Sequence, residues 1–274
     1  GFEFTLEDWN LFDTSPVWRE VTLGNVSERI QKMSDPQRRH ALREEYDLGK
    51  GPIAGGGTEE GVKESGGGAN VNGIATLIVE DVESPELKKY EGLHLPEIAE
   101  MQNKHIIDAF LDLALEDNLK TTFATPPRPT DPDAMAEVAN SSVAIPGVSD
   151  GGAHTKFITL GAYPTEFLSR WVRDGEIMDL EQAHWRLSAY PALAAGVKDR
   201  GWLREDAPAD IVVYDYENLA MLPVEKAWDF PAGAWRRIRK AQGYRYTIVN
   251  GEVTFEDQNC TGATPGKLLR HGLA

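Results

Sequence analysis

Short apolar runs alternate with helix-forming segments between residues 74 and 148, and this alternation constrains the fold more than any other feature of the chain. Three short segments rich in β-branched and small apolar residues predict buried strands: 74–79, 121–125 and 142–148. Between them, apolar residues at helical spacing predict helices over 96–116 and 134–140. Strands that alternate with helices favour parallel βαβ packing, in which functional side chains gather where the strands end.

The chain before and after this region has a different character. Residues 9–46 show mostly helical spacing, with Ser34-Asp35-Pro36 as a cap and restart, and the glycine-rich residues 49–73 predict a flexible loop. Further helices are predicted over 164–173 and 180–196. After Gly201 three segments predict strands: 210–214, 246–249 and 252–255. The last two are joined by Asn250-Gly251, a strong hairpin turn signal, and we expect a domain boundary near 196–201.

Charge and cysteine content exclude several classes of protein. The formal net charge is −16, from 28 Lys and Arg against 44 Asp and Glu, which disfavours binding to nucleic acid or to an anionic membrane. The single cysteine, Cys260, excludes an internal disulfide and a cysteine-rich zinc site. No apolar run reaches about 18 residues, and no secretory signal is visible. The expectation is an acidic, soluble, cytoplasmic protein.

The segment Gly147-Val148-Ser149-Asp150-Gly151 matches G-x-S-x-G, the turn that presents a serine nucleophile at the end of a strand. The apolar run before it supports a serine hydrolase that uses Ser149, with Asp210 and His271 downstream as an acid and a histidine. A helix should follow this turn, and Gly152 does not favour one.

Asp150 has two other interpretations. As a carboxylate at the end of a strand it could ligate a divalent cation and take a proton from the metal-bound water. Alternatively, Ser-Asp-Gly-Gly is only a turn. His154, four residues further on, could bind metal, orient substrate or be exposed. His105 and His184 fall in helical patterns and are predicted to be packing residues; with no H-x-H, H-E-x-x-H or cysteine pair, the sequence shows no complete metal site.

Six segments follow one another in a characteristic order and spacing: 4–9, 145–154, 183–192, 199–215, 249–253 and 261–270. Together they resemble the amidohydrolase superfamily, and within it the N-acyl-D-amino-acid deacylases, or D-aminoacylases. The resemblance implies an α/β fold with a metal-dependent (β/α)8 barrel and a small β-sandwich. It also implies a divalent metal such as zinc, an N-acyl amino acid or related linear amide as substrate, and Asp150 as metal ligand and general base. We assign His154 to substrate binding.

The departures from the family pattern are equally informative. The family's H-x-H, its bridging Lys, Glu or Cys, and two further histidines before the final Asp have no matching position here. We therefore expect the C-terminal portion of a deacylase-like enzyme, inactive alone. Its predicted segments are an inserted helical and loop segment (1–93), the last βα units of the barrel (94–198) and the C-terminal strands of the sandwich (199–274).

Open strand edges in such a portion predict either a homo-oligomer or association with a missing N-terminal half. Two alternatives remain beside the deacylase hypothesis: the serine hydrolase using Ser149, and a non-catalytic assembly module that keeps the fold.

Overall fold

The computed structural model describes residues 3–8, 15–50, 73–125, 130–147, 152, 155–156 and 159–270. The chain forms two compact units, each described here by itself. The N-terminal unit comprises Gly1–Pro129 and Lys156–Ile158, and the C-terminal unit comprises Thr130–Thr155 and Thr159–Ala274. Residues 51–72 of the predicted glycine-rich loop lie outside the described ranges. Within those ranges, no helix has the length and apolar character needed to cross a membrane.

The N-terminal unit begins with three helices: α1 (Pro16–Thr22), α2 (Val26–Ser34) and α3 (Pro36–Asp47). Polar side chains cap the N-termini of these helices. The hydroxyl of Ser15 accepts a hydrogen bond from the Trp18 amide at 3.2 Å, and the carboxylate of Asp35 accepts one from the Arg38 amide at 2.9 Å. These contacts satisfy backbone N–H groups that have no partner within the helix. The predicted cap and restart at residues 34–36 is confirmed.

Three short strands form an antiparallel sheet in the order β1-β3-β2: β1 (Glu3–Phe4), β2 (Ile78–Asp81) and β3 (Thr122–Ala124). The strand predicted at 121–125 is confirmed. The one predicted at 74–79 is right only in part, because Ile74–Thr76 forms a 3-10 turn and the strand starts at Ile78. A second 3-10 turn, Pro85–Tyr90, follows β2.

The single helix predicted over 96–116 is wrong, because the segment forms two helices, α4 (Leu95–Gln102) and α5 (Ile106–Glu116). Asn103 adopts a left-handed conformation with φ of 50° and ends α4. His105 then caps α5, its Nδ1 accepting from the Ile107 amide at 3.2 Å. His105 falls on the periodic pattern, which continues across Asn103, so the periodicity alone concealed the break.

This break also explains why the expected parallel βαβ packing is wrong for β2 and β3. One crossover helix brings the chain back to the start of a strand and gives a parallel pair. Here two helices, α4 and α5, which pack against each other, follow β2 in the chain in place of one crossover helix. The strand pair β2–β3 is antiparallel.

Aromatic and aliphatic side chains fill the core of the N-terminal unit. Phe110 lies at its centre, with ring centroids 4.6 Å from Phe123 and 6.0 Å from Trp18. All three side chains are fully buried. Leu6, Met33, Leu42, Leu77 and Ile98 belong to the same buried cluster. Burial of this apolar surface is the main source of stability for the unit.

The C-terminal unit begins with helices: α6 (Pro132–Asn140), α7 (Tyr163–Glu166) continued by the π-helical Phe167–Arg173, α8 (Leu180–Leu187) and α9 (Ala189–Ala194). The helices predicted over 134–140, 164–173 and 180–196 are therefore present, the last of them divided at Ser188. Gly201, with φ of +86°, packs on α9 so closely that an added Cβ would lie 2.8 Å from Ala189 Cα. A glycine is required there.

The rest of the unit is antiparallel. A four-stranded sheet has the order β4-β7-β8-β9, and β5 pairs with β6: β4 (Ile211–Tyr214), β5 (Ala220–Ala227), β6 (Arg236–Gln242), β7 (Tyr244–Val249), β8 (Glu252–Glu256) and β9 (Asn259–Cys260). The three strands predicted after Gly201 and the hairpin at Asn250-Gly251 are confirmed. The pair β5 and β6 was not predicted.

The fold is thus mixed α/β, as expected, but its described strands form three antiparallel sheets and no closed barrel. The division of the chain into an inserted segment, barrel units and sandwich strands, at 93/94 and 198/199, stays a prediction.

Candidate functional site

The residues predicted to carry chemistry, Ser149, Asp150 and His154, lie outside the described residues. The chain on either side of them is described, up to Gly147 and again from Thr155. We call residues 148–154 the candidate segment; only Gly152 within it is described, an exposed residue with φ of +96°. Positive φ at this position favours glycine over other residues.

The strand predicted before the candidate segment is wrong over residues 142–147, which form a turn followed by irregular chain. Two of its apolar side chains are exposed, Val143 at 88% and Ile145 at 39%. The carbonyls of Ser142 and Ala144 are bound by side chains of helices and not by a neighbouring strand. The local support for a serine nucleophile at a strand end is therefore lost.

Arg186 on α8 binds the C-terminal end of α6. Its guanidinium donates from Nη1 to the carbonyl of Ser141 at 2.9 Å and of Ala144 at 3.2 Å, and from Nη2 to the carbonyl of Asn140 at 2.9 Å. The hydroxyl of Tyr190 on α9 donates to the carbonyl of Ser142 at 2.7 Å. These two side chains thus bind carbonyl groups at the end of α6, which have no intrahelical partners, and in the chain that follows it.

The described chain after the candidate segment makes a backbone contact at Thr155. The amide of Arg237 on β6 donates to the carbonyl of Thr155 at 2.7 Å. Residues 140–144 and Thr155, which have these contacts, both belong to the C-terminal unit.

His184 and Tyr214 form the closest imidazole–hydroxyl contact of this unit among the described residues. His184 Nε2 lies 2.6 Å from the Tyr214 hydroxyl. The Tyr214 ring packs against Tyr244, and the Tyr244 hydroxyl lies 2.9 Å from Thr165 Oγ1. Although the His184 side chain as a whole is exposed, partial burial of its ring lowers the pKa of His184. Burial likewise raises the pKa of Tyr214. Both shifts favour the neutral pair, in which Tyr214 can donate to Nε2.

The other predicted histidine and the downstream acid have structural partners. His105, besides capping α5, lies 3.1 Å from the Asp47 carboxylate through Nε2. Asp210 pairs with Arg200 at 2.7 Å and accepts from the Asn250 amide at 2.8 Å, so it holds the β7–β8 hairpin. His271 lies outside the described residues.

The described residues do not fit a metal ion. In the ranges that the structure describes, no group of three or more His, Cys, Asp or Glu side chains comes together in a way that could hold one. Cys260 is exposed and free. The predicted zinc therefore finds no site among these residues.

Sequence reasoning missed Arg186, although a signal was present. Ala183 and Arg186 are three residues apart in α8, and both are buried on the same face. A charged residue at an inward position of a periodic helix points to a polar anchor, because charged side chains are seldom buried without partners.

Comparison with known proteins gives a consistent family. A model described as "Amidohydrolase family" matches residues 81–255. An N-acyl-D-glutamate deacylase of Alcaligenes xylosoxydans xylosoxydans is 35% identical over 106 residues, which are 39% of this chain and 20% of that protein. A D-aminoacylase of the same organism is 28% identical over 114 residues, 42% of this chain and 22% of that protein. The matched part thus spans about a fifth of the length of these curated relatives.

The similarity to solved structures is weaker. The crystal structure of a D-aminoacylase superposes with a TM-score of 0.41 at 23% identity, covering 68% of this chain and 36% of that one. An N-acyl-D-glutamate deacylase from Bordetella bronchiseptica, complexed with zinc and a phosphonate inhibitor, superposes with a TM-score of 0.36 at 24% identity, covering 66% and 35%.

Proposed function

Because the chain belongs to the amidohydrolase family, we propose that it takes part in hydrolysing the amide C–N bond of N-acyl-D-amino acids. The observation that carries the proposal is the family match over residues 81–255, more than half of the chain. The relative at 35% identity, an N-acyl-D-glutamate deacylase, supports an N-acylated acidic D-amino acid as the substrate class.

In this proposal Asp150 is the general base. Its carboxylate takes a proton from the water that attacks the amide carbonyl, and His154 binds the substrate. The support for both roles is the resemblance of residues 145–154 to the family pattern, in which an Asp matching Asp150 ends the last barrel strand. An Asp that must accept a proton near neutral pH needs surroundings that adjust its proton affinity.

The proposal needs metal ligands that the described residues do not supply. We propose that these come from residues outside the described ranges, in this chain or in further polypeptide, and that Asp150 joins them. The barrel units and the β-sandwich share expected from the sequence belong to the same proposal. The proposal also includes association of this chain with a second copy or with an N-terminal half. The exposed apolar residues on strands of the C-terminal unit are suited to such an interface.

The test uses the full natural polypeptide that contains this sequence, assayed with N-acetyl-D-glutamate and its L-enantiomer, with added zinc and after chelation. We expect hydrolysis of the D-isomer that is lost on chelation. Asp150→Asn should lower kcat by about 10²- to 10⁴-fold, the range typical of a positioned proton-transfer group. Asp133→Asn, which removes an exposed carboxylate on α6, is the matched control and should leave kcat unchanged.

Two other outcomes separate the alternatives. Labelling of Ser149 by a fluorophosphonate, with activity indifferent to chelators, would establish the serine hydrolase in place of the deacylase. If Asp150→Asn altered neither metal content nor any activity while the protein stayed folded, the non-catalytic assembly module would be favoured.

A further inference from the structure

The hairpin of β5 and β6 is basic, although the protein as a whole is acidic. Residues 220–242 contain five Lys and Arg against two Asp and Glu, a net charge of +3. The other residues of the chain contain 23 Lys and Arg against 42 Asp and Glu, a net charge of −19. Three of the hairpin cations are exposed: Lys226, Arg239 and Lys240. A positive surface element of this kind favours contact with an acidic partner and steers its approach.

The tip of the hairpin exposes aromatic side chains. Trp228 is 69% exposed and Phe230 is 39% exposed. Tryptophan is a highly buried residue on average, so an exposed one at the tip of a hairpin points to a surface that another molecule covers. Tryptophan and arginine are also among the side chains that most often dominate the binding energy of a protein–protein interface.

Contacts within the hairpin fix the shape of this tip. Arg236 donates to both carboxylate oxygens of Asp229, from Nε at 2.8 Å and from Nη2 at 2.7 Å. Its guanidinium lies 5.5 Å from the centre of the Phe230 ring, and Lys226 Nζ lies 5.1 Å from the centre of the Trp235 ring. Because these contacts hold the tip before a partner arrives, binding costs less conformational entropy.

An apolar groove continues this surface from the hairpin onto the four-stranded sheet of the same unit. The groove has a volume of about 360 Å³, and its lining includes Lys240 and Ala241 of β6 and Tyr246, Thr247 and Phe255 of β7 and β8. Tyr246 is 39% exposed and Phe255 is 43% exposed. The basic hairpin and these residues of the sheet therefore form one continuous surface. We call it the hairpin surface: residues 220–242 with Tyr246, Thr247 and Phe255.

We propose that the hairpin surface binds a second copy of this chain, so that the basic hairpin of each copy contacts acidic surface of the other. Charge complementarity carries the choice of partner, because a second copy offers a net charge of −19 outside its own hairpin. A two-fold axis lets both hairpins make the contact at once, as in most homodimers. The inference names a surface for the self-association included in the proposed function, and it does not depend on deacylase activity.

An anionic membrane is the other class of partner that a basic, aromatic hairpin could bind. Asp229 stands between Trp228 and Phe230 in the sequence and is exposed. A carboxylate at this place disfavours insertion of the tip into a bilayer, because it is repelled by anionic lipid and is costly to bury in hydrocarbon. The observations therefore favour the second copy, and vesicle binding is one outcome of the test.

The oligomeric state of the full natural polypeptide tests the proposal. Sedimentation velocity over a range of protein concentrations gives the dimer dissociation constant of wild type, Trp228→Ala and Arg239→Glu. Trp228→Ala should raise this constant by about 30-fold, the size expected when a dominant interface side chain is truncated. Arg239→Glu should raise it by about 10-fold at ~0.15 M salt, and by less at higher salt, because screening weakens charge complementarity. Both side chains are exposed, so both variants should fold, which circular dichroism checks.

Two variants outside the hairpin surface are matched controls. Trp202, between α9 and β4, is 45% exposed. Arg204 donates from Nη2 to the carbonyl of Lys198 at 3.4 Å, much as Arg239 donates from Nε to the carbonyl of Leu222 at 3.0 Å. Trp202→Ala and Arg204→Glu should leave the dissociation constant within about twofold of the wild-type value, as surface substitutions outside an interface do.

A wild type that stays monomeric at every concentration, or a dimer that both hairpin variants leave unchanged, would overturn the proposal. Binding of wild type, and not of Trp228→Ala, to vesicles of phosphatidylcholine and phosphatidylserine without dimer formation would also overturn it and would assign the hairpin surface to a membrane. Deacylase turnover is measured on the same samples. An inactive wild type whose dimer responds to the hairpin variants would refute the proposed function and support this interface, whereas an active monomer would do the reverse.

Discussion

The N-terminal unit fully buries its large aromatic residues Trp18, Phe110 and Phe123, whereas large apolar side chains of the C-terminal unit stay exposed. Trp228 is 69% exposed and Phe255 is 43% exposed. The buried cluster of the C-terminal unit is correspondingly small: Ala139, Phe167, Leu168, Val172, Ala183 and Leu219. The first unit has a buried apolar core, as globular domains usually do, whereas the second keeps much apolar surface in contact with solvent.

The two units differ in how much apolar surface they bury and not in how their arginines are used. The buried apolar cluster of the first unit is much the larger, so apolar burial contributes more to its stability. Guanidinium groups donate to main-chain carbonyls in both units: Arg29 does so in the first, and Arg173 and Arg186 do so in the second.

The largest effect should follow from Phe110→Ala. The ring contacts Trp18 and Phe123, so its removal leaves a cavity in a closely packed core. We expect the free energy of unfolding of the N-terminal unit to fall by about 3–5 kcal/mol. Chemical denaturation followed by hydrogen exchange of amides in that unit gives the value. Val138→Ala, at a 61% exposed position on α6, is the control and should change stability by less than about 0.5 kcal/mol.

A loss of less than about 1 kcal/mol in Phe110→Ala would contradict the view that apolar burial stabilises this unit.

A smaller and pH-dependent effect should follow from Asp112→Asn. The Asp112 carboxylate accepts hydrogen bonds from Arg39 and Lys104, each at 2.7 Å. Burial alone would raise the pKa of Asp112, but these two hydrogen bonds outweigh burial and hold that pKa below its ordinary value. We expect a loss of about 2 kcal/mol near neutral pH, the size of a hydrogen bond to a charged group.

The pH dependence of that loss has a definite sign. Because the folded-state pKa of Asp112 is lowered, its contribution is complete above the ordinary Asp pKa of about 3.9 and is lost as pH falls through the folded value. Unfolding free energies measured from pH 7 to pH 2 should therefore converge for wild type and Asp112→Asn at the acid end. Glu100→Gln, at an exposed position on α4, should run parallel to wild type throughout. A constant difference down to pH 2 would exclude the carboxylate as the cause.

The backbone conformation of a turn should affect the stability of the C-terminal unit by a smaller amount. Gly251, in the β7–β8 hairpin, has φ of +84°, and no atom lies within 4 Å of the position of an added Cβ. Gly266 has the same open space without a positive φ. Gly251→Ala should reduce the free energy of unfolding by about 1 kcal/mol through backbone strain alone, and Gly266→Ala should not. Equal effects in a thermal melt would remove turn geometry as a cause.

Local signals in the sequence predicted much of the fold. The cap at Asp35-Pro36 and the Asn250-Gly251 turn depend on neighbouring residues only, so both were read correctly. The break at Asn103 was missed because the apolar spacing continues across it. The strand predicted at 142–148 is wrong over 142–147, where carbonyls bind Arg186 and Tyr190, which lie more than 40 residues away. A buried position in α8 indicates that Arg186 has polar partners, but no local pattern identifies these carbonyls as the partners. For Asp150 the local pattern left a metal ligand and a plain turn open, and only the family resemblance favoured the metal ligand, which stays a prediction.

The smallest effect concerns the His184–Tyr214 pair of the C-terminal unit. Burial lowers the pKa of His184 in the folded protein. Between this lowered pKa and the ordinary His pKa of about 6.5, the unfolded chain binds more protons than the folded one. The contribution of His184 to the free energy of unfolding is therefore complete above about pH 6.5 and is lost as pH falls through the lowered pKa. The His184 residue as a whole is exposed, so solvent screening limits the effect to roughly a few tenths of a kcal/mol. Exchange of amides in α8 and β4, measured from pH 7.5 to 5, should show this loss in wild type and not in His184→Gln. His40→Gln, at an exposed position on α3, should keep it. A pH response that survives in His184→Gln would assign the effect to other groups, and the pair would then be a hydrogen bond without influence on the pH dependence of this unit.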